Sequence, residues 1–365
     1  MRKSIGYRPK AAILTWCDNN GPTNYGQILQ CYAMQYLVKG KGYQPIVIQY
    51  RRKDNRDLVM YNFSNKTALG RLLNERYESY YNLKVIEGKS TPRVRKFKEF
   101  IGKYISLSAP CYTKKMVEEM TKECEVLICG SDQIWNPIWF DPIWFLDFGK
   151  SDQKRIAFAP SGIFYETPEF IKCYQKMGAL IEKLDEVSVR EEISAEILRK
   201  YVKREIKVQK DPTLCLNSEQ WDQVADERLI KEDYVFCYII GSISPYQLIL
   251  RTLKKKYHVQ KVIYIPTNKL IETGFKEFEK YEDAGPAQFL SLIKYAKAVC
   301  TDSFHGTVLA IEYGVPFYNV SRVHKGTEAF GGKERIENAL KELGKTERWV
   351  KNVRDVIRLD TVSNV

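Results

Sequence analysis

The densest run of groups able to move protons and hold anions is Thr301-Asp302-Ser303-Phe304-His305-Gly306-Thr307. Apolar, β-prone Ala298-Val299-Cys300 precedes it, and Val308-Leu309-Ala310-Ile311 opens a helix-like run that Gly314 and Pro316 close. A strand, a polar loop and a helix in that order put the loop at the carboxyl end of the strand. Ligands of open α/β sheets bind there, and the free N–H groups of the following helix suit an anion. His305, one of only three histidines, can give and take a proton near neutral pH. The local alternative is that Asp302 or Ser303 caps the helix and His305 is bonded internally.

Three other loops share this setting. Cys129-Gly130-Ser131-Asp132-Gln133-Ile134-Trp135-Asn136-Pro137 follows an apolar strand, and Asp132, Gln133 and Asn136 beside the Trp135 ring suit the hydroxyls and apolar face of a sugar. Asp132 can equally bond its own turn. Val187-Ser188-Val189-Arg190-Glu191-Glu192 ends a strand with an arginine. Its planar fork can clamp a carboxylate or phosphate, or pair with Glu191, Glu192 or Asp185. The first strand runs into Asn19-Asn20-Gly21-Pro22-Thr23-Asn24-Tyr25-Gly26 and a helix carrying Ile28, Leu29, Tyr32, Met34 and Leu37. Asn24 can cap that helix and Gly26 allows close approach, which serves a ligand or a plain helix start alike. Neither a GxGxxG nor a GxxxxGKS pattern is present, so a dinucleotide or P-loop reading has little support. Asp211-Pro212-Thr213 reads as a structural turn at a domain junction.

The elements that position these loops alternate. Strand-like runs at 11–16, 45–50, 125–129, 155–160, 186–190 and 206–208 are separated by helical patterns, which argues for a parallel, doubly wound sheet. A second series follows at 234–240, 259–265, 298–301 and 315–320. The boundary is expected near 211–225, giving a first Rossmann-like lobe at 1–215, a second at 216–332 and a helical tail at 333–365 that crosses back to the first. A chain of 365 residues has room for two such cores and a cleft between them. Residues 51–120 are expected as an insertion in the first lobe, with 51–92 polar and tyrosine-rich.

Composition narrows the setting. A formal charge of +13 calls for an acidic partner, such as a phosphorylated metabolite or an anionic membrane surface. No zinc-finger or RNP-type pattern is visible, so no nucleic acid is expected. Val94, Phe97, Ile101 and Tyr104 fall at helical spacing among Arg93, Arg95, Lys96, Lys98 and Lys103. This basic amphipathic helix either packs on its own domain or docks peripherally on the inner face of the membrane. The nine scattered cysteines include no CxxC pair and read as buried, reduced thiols. No apolar run approaches the ~18 residues of a membrane span, and the first residues have no apolar signal core, so a cytoplasmic protein is expected.

Taken together and in order, these segments resemble the polysaccharide pyruvyl transferase family over about residues 11–320. The segments are Asn24-Tyr25-Gly26, Gly130-Ser131-Asp132-Gln133-Ile134-Trp135-Asn136-Pro137, Ala157-Phe158-Ala159-Pro160-Ser161-Gly162, Val187-Ser188-Val189-Arg190-Glu191, Asp211-Pro212-Thr213 and Thr301-Asp302-Ser303-Phe304-His305-Gly306. The resemblance implies an α/β fold of two Rossmann-like lobes with parallel sheets, similar to the GT-B glycosyltransferases. It also implies transfer of the enolpyruvyl group of phosphoenolpyruvate to a sugar or lipid-linked oligosaccharide, usually as a cyclic ketal. The first lobe would take the acceptor and the second the donor. Arg190 would hold the donor anion, His305 would serve as acid and base, and Asp132 would orient or deprotonate the acceptor. Asn24, Tyr25, Gly26, Ser131, Gln133, Asn136, Ser303, Gly306 and Thr307 would line the substrates, with no metal and no cofactor beyond the donor substrate. Some members carry an arginine two residues before the histidine, where this chain has Ser303. Arg322, Lys325 or Arg335 would then complete the donor grip. Two other readings remain open: a GT-B-type glycosyltransferase using a nucleotide sugar, and a non-catalytic glycan- or membrane-binding scaffold.

Overall fold

The computed structural model describes residues 8–17, 24–51, 91–267, 277–324, 327–328, 336–337, 339–341 and 343–359. Residues 19–23 of the first loop, 52–90 of the expected insertion, Lys325 and Arg335 lie outside the described residues. Two compact units emerge, one of residues 1–91 with 97–215 and one of 92–96 with 216–365.

In the first unit, β1 (Lys10–Leu14), β2 (Gln44–Val47), β3 (Val126–Cys129), β4 (Lys154–Ala157), β5 (Glu186–Val189) and β6 (Lys207–Val208) form one sheet in the order β2-β1-β3-β4-β5-β6. Every pairing is parallel. β3 reads Val-Leu-Ile-Cys and is buried throughout, as a strand with both faces covered must be. Helix α1 (Tyr25–Gly40) starts where the Asn24 side chain accepts from the Gln27 N–H at 3.3 Å, a cap worth about 1 kcal/mol. The chain steps from β1 to β2 on one side and then crosses to β3 on the other, so the strand order reverses between β1 and β3. The register sets Leu14 beside Cys129 and Cys129 beside Ala157, so the loops after β1, β3 and β4 emerge level with one another. That reversal is where a doubly wound sheet opens a crevice.

One expectation for this unit changes, and one of two alternatives is met. Residues 91–120 are not an insertion: α2 (Pro92–Tyr104) and α3 (Lys114–Thr121) flank a segment in which Leu107 and Cys111 bridge in parallel to Val47 and Tyr50, extending the sheet edge. The amphipathic face of α2 is also spent internally. Phe97, Phe100 and Ile101 are buried, with Phe97 against Tyr25 (ring centroids 4.9 Å apart) and Phe100 against Tyr32 (6.2 Å). A charged face with Arg95, Lys98, Glu99 and Lys103 remains exposed.

The second unit holds β7 (Tyr234–Tyr238), β8 (Lys261–Tyr264), β9 (Glu279–Lys280), β10 (Ala298–Thr301) and β11 (Phe317–Asn319) in the parallel order β11-β10-β7-β8-β9. The order reverses between β7 and β10. Thr301 lies beside both Tyr238 and Asn319, so the strand ends are again level. The helices are α4 (Pro168–Ile181) and α5 (Glu192–Arg199) in the first unit, then α6 (Ser218–Asp222), α7 (Gln247–Lys256), α8 (Pro286–Lys294), α9 (Phe304–Glu312) and α10 (Val353–Arg358) in the second. The described part of the tail packs on the second core. Val350, Val356 and Leu359 join Ile249, Leu250 and Leu253 in the second core, and Lys256 donates to the Val356 carbonyl at 2.9 Å. The apolar spacing of the tail marks a helix but carries no label for the core it will complete. None of the nine cysteines forms a disulfide, and eight are buried. Burial, with Asp302 adding to it, pushes the Cys300 thiol up to about 12. Among the described residues no helix is long and apolar enough to cross a membrane.

Candidate functional site

At the first reversal point, hydrogen bonds lace four strand ends together. Gln30 on α1 donates to Thr15 Oγ1 (2.7 Å), Thr15 donates to the Ser131 carbonyl (3.1 Å), and the Ser131 N–H donates back to Gln30 Oε1 (3.2 Å). Ser131 Oγ reaches the Ala159 carbonyl (2.7 Å) and Asp211 Oδ2 (3.2 Å). Asp132 follows with φ 63° and ψ −177°, a region that costs a non-glycine residue about 1–3 kcal/mol. Its carbonyl accepts from Ser161 N–H at 2.8 Å, which clamps the turn. Ala159 at the end of β4 also has positive φ, at 48°. Two strained residues on adjacent strand ends mark a region that the fold holds against local preference.

Arg190 lies behind this turn, only 4% exposed. Its Nε donates to Glu191 Oε1 (2.7 Å), Nη1 to Asp211 Oδ2 (2.8 Å) and Nη2 to Ser161 Oγ (2.7 Å). Burial works against its charge, but Glu191, Asp211 and Asp132 outweigh that and hold its pKa above the ordinary arginine value. One guanidinium therefore faces three carboxyl groups, a setting hostile to a further anion. The pairing with Glu191 foreseen from sequence is present. Glu192 instead pairs with Arg199, and Asp185 accepts from the Arg155 N–H.

The second reversal point has the opposite character. Asp302, fully buried, accepts from the N–H groups of Ile240 (2.7 Å) and Gly241 (2.9 Å), tying the loop after β7 to the end of β10. A Cβ on Gly241 would come within 2.6 Å of the Val323 carbonyl, so only glycine fits there. Arg322 leans on the same aspartate, through Nη2 to the Asp302 carbonyl (2.9 Å) and Nε to Oδ2 (3.4 Å), and keeps 21% of its side chain exposed. Its flanks are pinned by Tyr246 Oη to the Ser321 carbonyl and by Ser242 N–H to the Val323 carbonyl. Ser303 caps α9 by accepting from the Gly306 N–H (3.3 Å). His305, 8% exposed, sits in the first turn of that helix, where backbone N–H groups and the helix dipole favour negative charge.

The remaining sequence-derived residues divide by what they touch. Ser303 and Thr307 work inside their loop, with Thr307 Oγ1 donating to the Ser303 carbonyl (2.9 Å) and accepting from Asn319 Nδ2 (2.7 Å). A side chain on Gly306 would press Thr301 Oγ1 at 2.8 Å. Asn136, fully buried, caps its own turn through Ile138 N–H at 3.1 Å. Tyr25 and Gly26 are buried in α1, while Asn24 is exposed at its cap. Gln133 is half-buried at the turn. The Trp135 ring offers no face to a sugar: it is 1% exposed and stacks on Phe145 with centroids 4.7 Å apart. Asp211 and Asp302 do more than the turn residue and cap that their sequence context suggests. Each is a fully buried carboxylate that joins two or more motif loops. The sequence hint was an ionisable residue at a strand end within an otherwise apolar run.

The sequence model of the polysaccharide pyruvyl transferase family matches residues 24–324. A search of curated protein sequences returned no match. Among solved structures, the chain is similar to UDP-GlcNAc 2-epimerase from Neisseria meningitidis bound to UDP-GlcNAc, at 9% identity over 96% of this chain and 90% of that one (TM-score 0.51). It is also similar to the S. aureus MnaA-UDP co-structure, at 10% identity over 97% and 87% (TM-score 0.50). Likeness at this identity concerns the fold alone, two parallel-sheet Rossmann-like lobes of the GT-B kind.

Proposed function

The chain belongs to the polysaccharide pyruvyl transferase family, and on that premise we propose that it moves the enolpyruvyl group of phosphoenolpyruvate onto a saccharide and releases phosphate. The supporting observation is the chemical contrast between the lobes: a carboxyl-rich turn around Asp132 in the first, and His305 with Arg322 at a helix N-terminus in the second. The second lobe suits the anionic donor. Arg322, braced by Asp302, takes over the anion-holding role that the sequence suggested for Arg190, which already serves two carboxylates. The first lobe suits an acceptor hydroxyl, with the Asp132 carboxylate as base.

The chemistry balances with these groups. His305 delivers a proton to the vinyl carbon of the donor while a saccharide oxygen bonds to the adjacent carbon and the hydroxyl proton passes to a base. The bond from that carbon to the phosphate oxygen then breaks, and phosphate leaves with the electron pair. A second hydroxyl of the same sugar adds to the carbon and loses its proton, which closes the ketal. A positioned acid and base each contribute on the order of 10²–10⁴-fold. Any contact of α2 with an anionic bilayer would be electrostatic, through Arg95, Lys98 and Lys103, and abolished by high salt.

Calorimetry with phosphoenolpyruvate alone tests the donor. Heat of binding in the wild type that disappears in Arg322→Ala supports the reading. Silence towards phosphoenolpyruvate with saturable binding of a uridine or guanosine diphosphate sugar would replace it with nucleotide-sugar transfer.

A further inference from the structure

A groove of about 900 Å³ opens on the first unit at the amino ends of its strands. Lys10 of β1, Gln44 of β2 and Glu123 ahead of β3 border it, whereas the motif loops leave the carboxyl ends of the same strands. The length of β1 separates the two ends by about 13 Å, so the groove is distinct from the candidate site.

One wall is a face of α3. Thr113 caps that helix by accepting from the Met116 N–H at 3.3 Å, and Val117 and Thr121 are buried in the core. The adjoining positions, Met116 and Met120, line the groove one turn apart, with Lys115 and Glu119 beside them. The other wall is the extended sheet edge, where Leu107 bridges in parallel to Val47 next to Ile46. The helix end is fixed by Gln153 Nε2, which donates to the carbonyls of Thr121 (2.8 Å) and Cys124 (2.7 Å). Burial raises the pKa of the Cys111 and Cys124 thiols, so both present neutral sulfur to the groove. The rim is charged. Glu123 pairs with Lys10 at 2.6 Å and Glu119 pairs with Lys122, which leaves Lys115 as the rim lysine with no carboxylate partner among the described residues.

We propose that this groove binds a free, single-chain amphiphile with a carboxylate head, the head at Lys115 and the tail along Met116 and Met120. Its volume falls within the roughly 300–1,000 Å³ of small-molecule sites. From Lys115 to Lys122 the helical wall runs about 10 Å, and its apolar side chains recur one turn apart, a strip that suits a methylene chain better than a compact ring. Unbranched methionine stems adapt to a chain with no fixed shape. The uncompensated Lys115 selects an anionic head, because the other rim lysines are already paired. The inference is independent of the transfer reaction.

Calorimetric titration of the full-length chain with decanoate below its micelle concentration, and with decanol, tests it in wild type, Lys115→Glu and Met116→Asp. The wild type is expected to bind one equivalent of decanoate. Lys115→Glu should weaken decanoate about fivefold or more and decanol about twofold or less. Met116→Asp, which sets a charge in the apolar wall, should weaken both about tenfold or more. Lys115 is exposed and Met116 is 41% exposed, so both variants should melt as the wild type does. Should Met116→Asp unfold, Lys115→Glu decides alone. No binding of decanoate by the wild type, undiminished binding in folded Met116→Asp, or equal effects on the two ligands in Lys115→Glu overturns the inference. So does retention on anionic phospholipid vesicles without binding of free decanoate, which would make the groove a bilayer contact.

Discussion

Arg190 and Arg322 stand at the reversal points of two parallel sheets, and the same side chain serves them differently. Arg190 is enclosed, with Nε and both terminal nitrogens committed to Glu191, Asp211 and Ser161. Arg322 is braced from one side by Asp302 and keeps part of its side chain exposed. The first arrangement spends charge on rigidity, fixing the turn that carries Asp132. The second fixes an arginine without covering it, which is what an anion-binding group requires. Burial therefore tells an arginine whose charge is spent within the fold from one still able to meet a ligand more surely than its position at a strand end.

The largest test of that contrast is His305→Ala, which removes the proton donor proposed for the second lobe. Turnover is expected to fall by about 10²–10⁴-fold with calorimetric binding of phosphoenolpyruvate retained. Full turnover would move the acid–base role elsewhere. Next comes stability. Arg190→Met leaves two buried carboxylates uncompensated and is expected to cost about 3–5 kcal/mol in urea unfolding. Arg322→Met leaves the buried Asp302 with its two backbone N–H donors and should cost less, about 1–2 kcal/mol. Equal losses would erase the distinction. Smaller again is the affinity effect: Arg322→Ala should raise the KM for phosphoenolpyruvate by about 10–100-fold and leave the acceptor KM unchanged, as loss of a charged hydrogen bond implies. A rise in the acceptor KM alone would place Arg322 on the other substrate.

The strand-loop-helix units were legible in the sequence because parallel strands buried on both faces read as short apolar runs, and the polar residues that end them stand out. That is why Asp132, Arg190 and His305 could be singled out before any fold was known. Their partners could not. Ser131 and Asp211 are 80 residues apart, and Ile240 and Asp302 are 62 apart, so no local spacing joins them. The burial of a tryptophan is equally hidden: Trp135 and Trp139 occupy successive 3₁₀ turns, yet the first is buried and the second only half-buried. The two-residue strand β9 is too short to show any period.

The smallest effect probes the strain at Asp132 and has the opposite sign from the others. At φ 63° and ψ −177° the backbone occupies a region natural to glycine, so Asp132→Gly relieves about 1–3 kcal/mol of strain. Glycine adds unfolded-state entropy that returns about 0.5–1 kcal/mol. Loss of the carboxylate removes one attraction for Arg190, but Glu191 and Asp211 keep their direct bonds to it. The variant is therefore expected to unfold at an equal or higher urea concentration, by up to about 2 kcal/mol, while pyruvyl transfer collapses. Asp132→Asn separates the two contributions, because it keeps the strain and loses the base. If Asp132→Gly is instead less stable than Asp132→Asn, the turn holds Asp132 for its bonds within the fold, and the contrast between a scaffold arginine and a reactive neighbour would have to be redrawn.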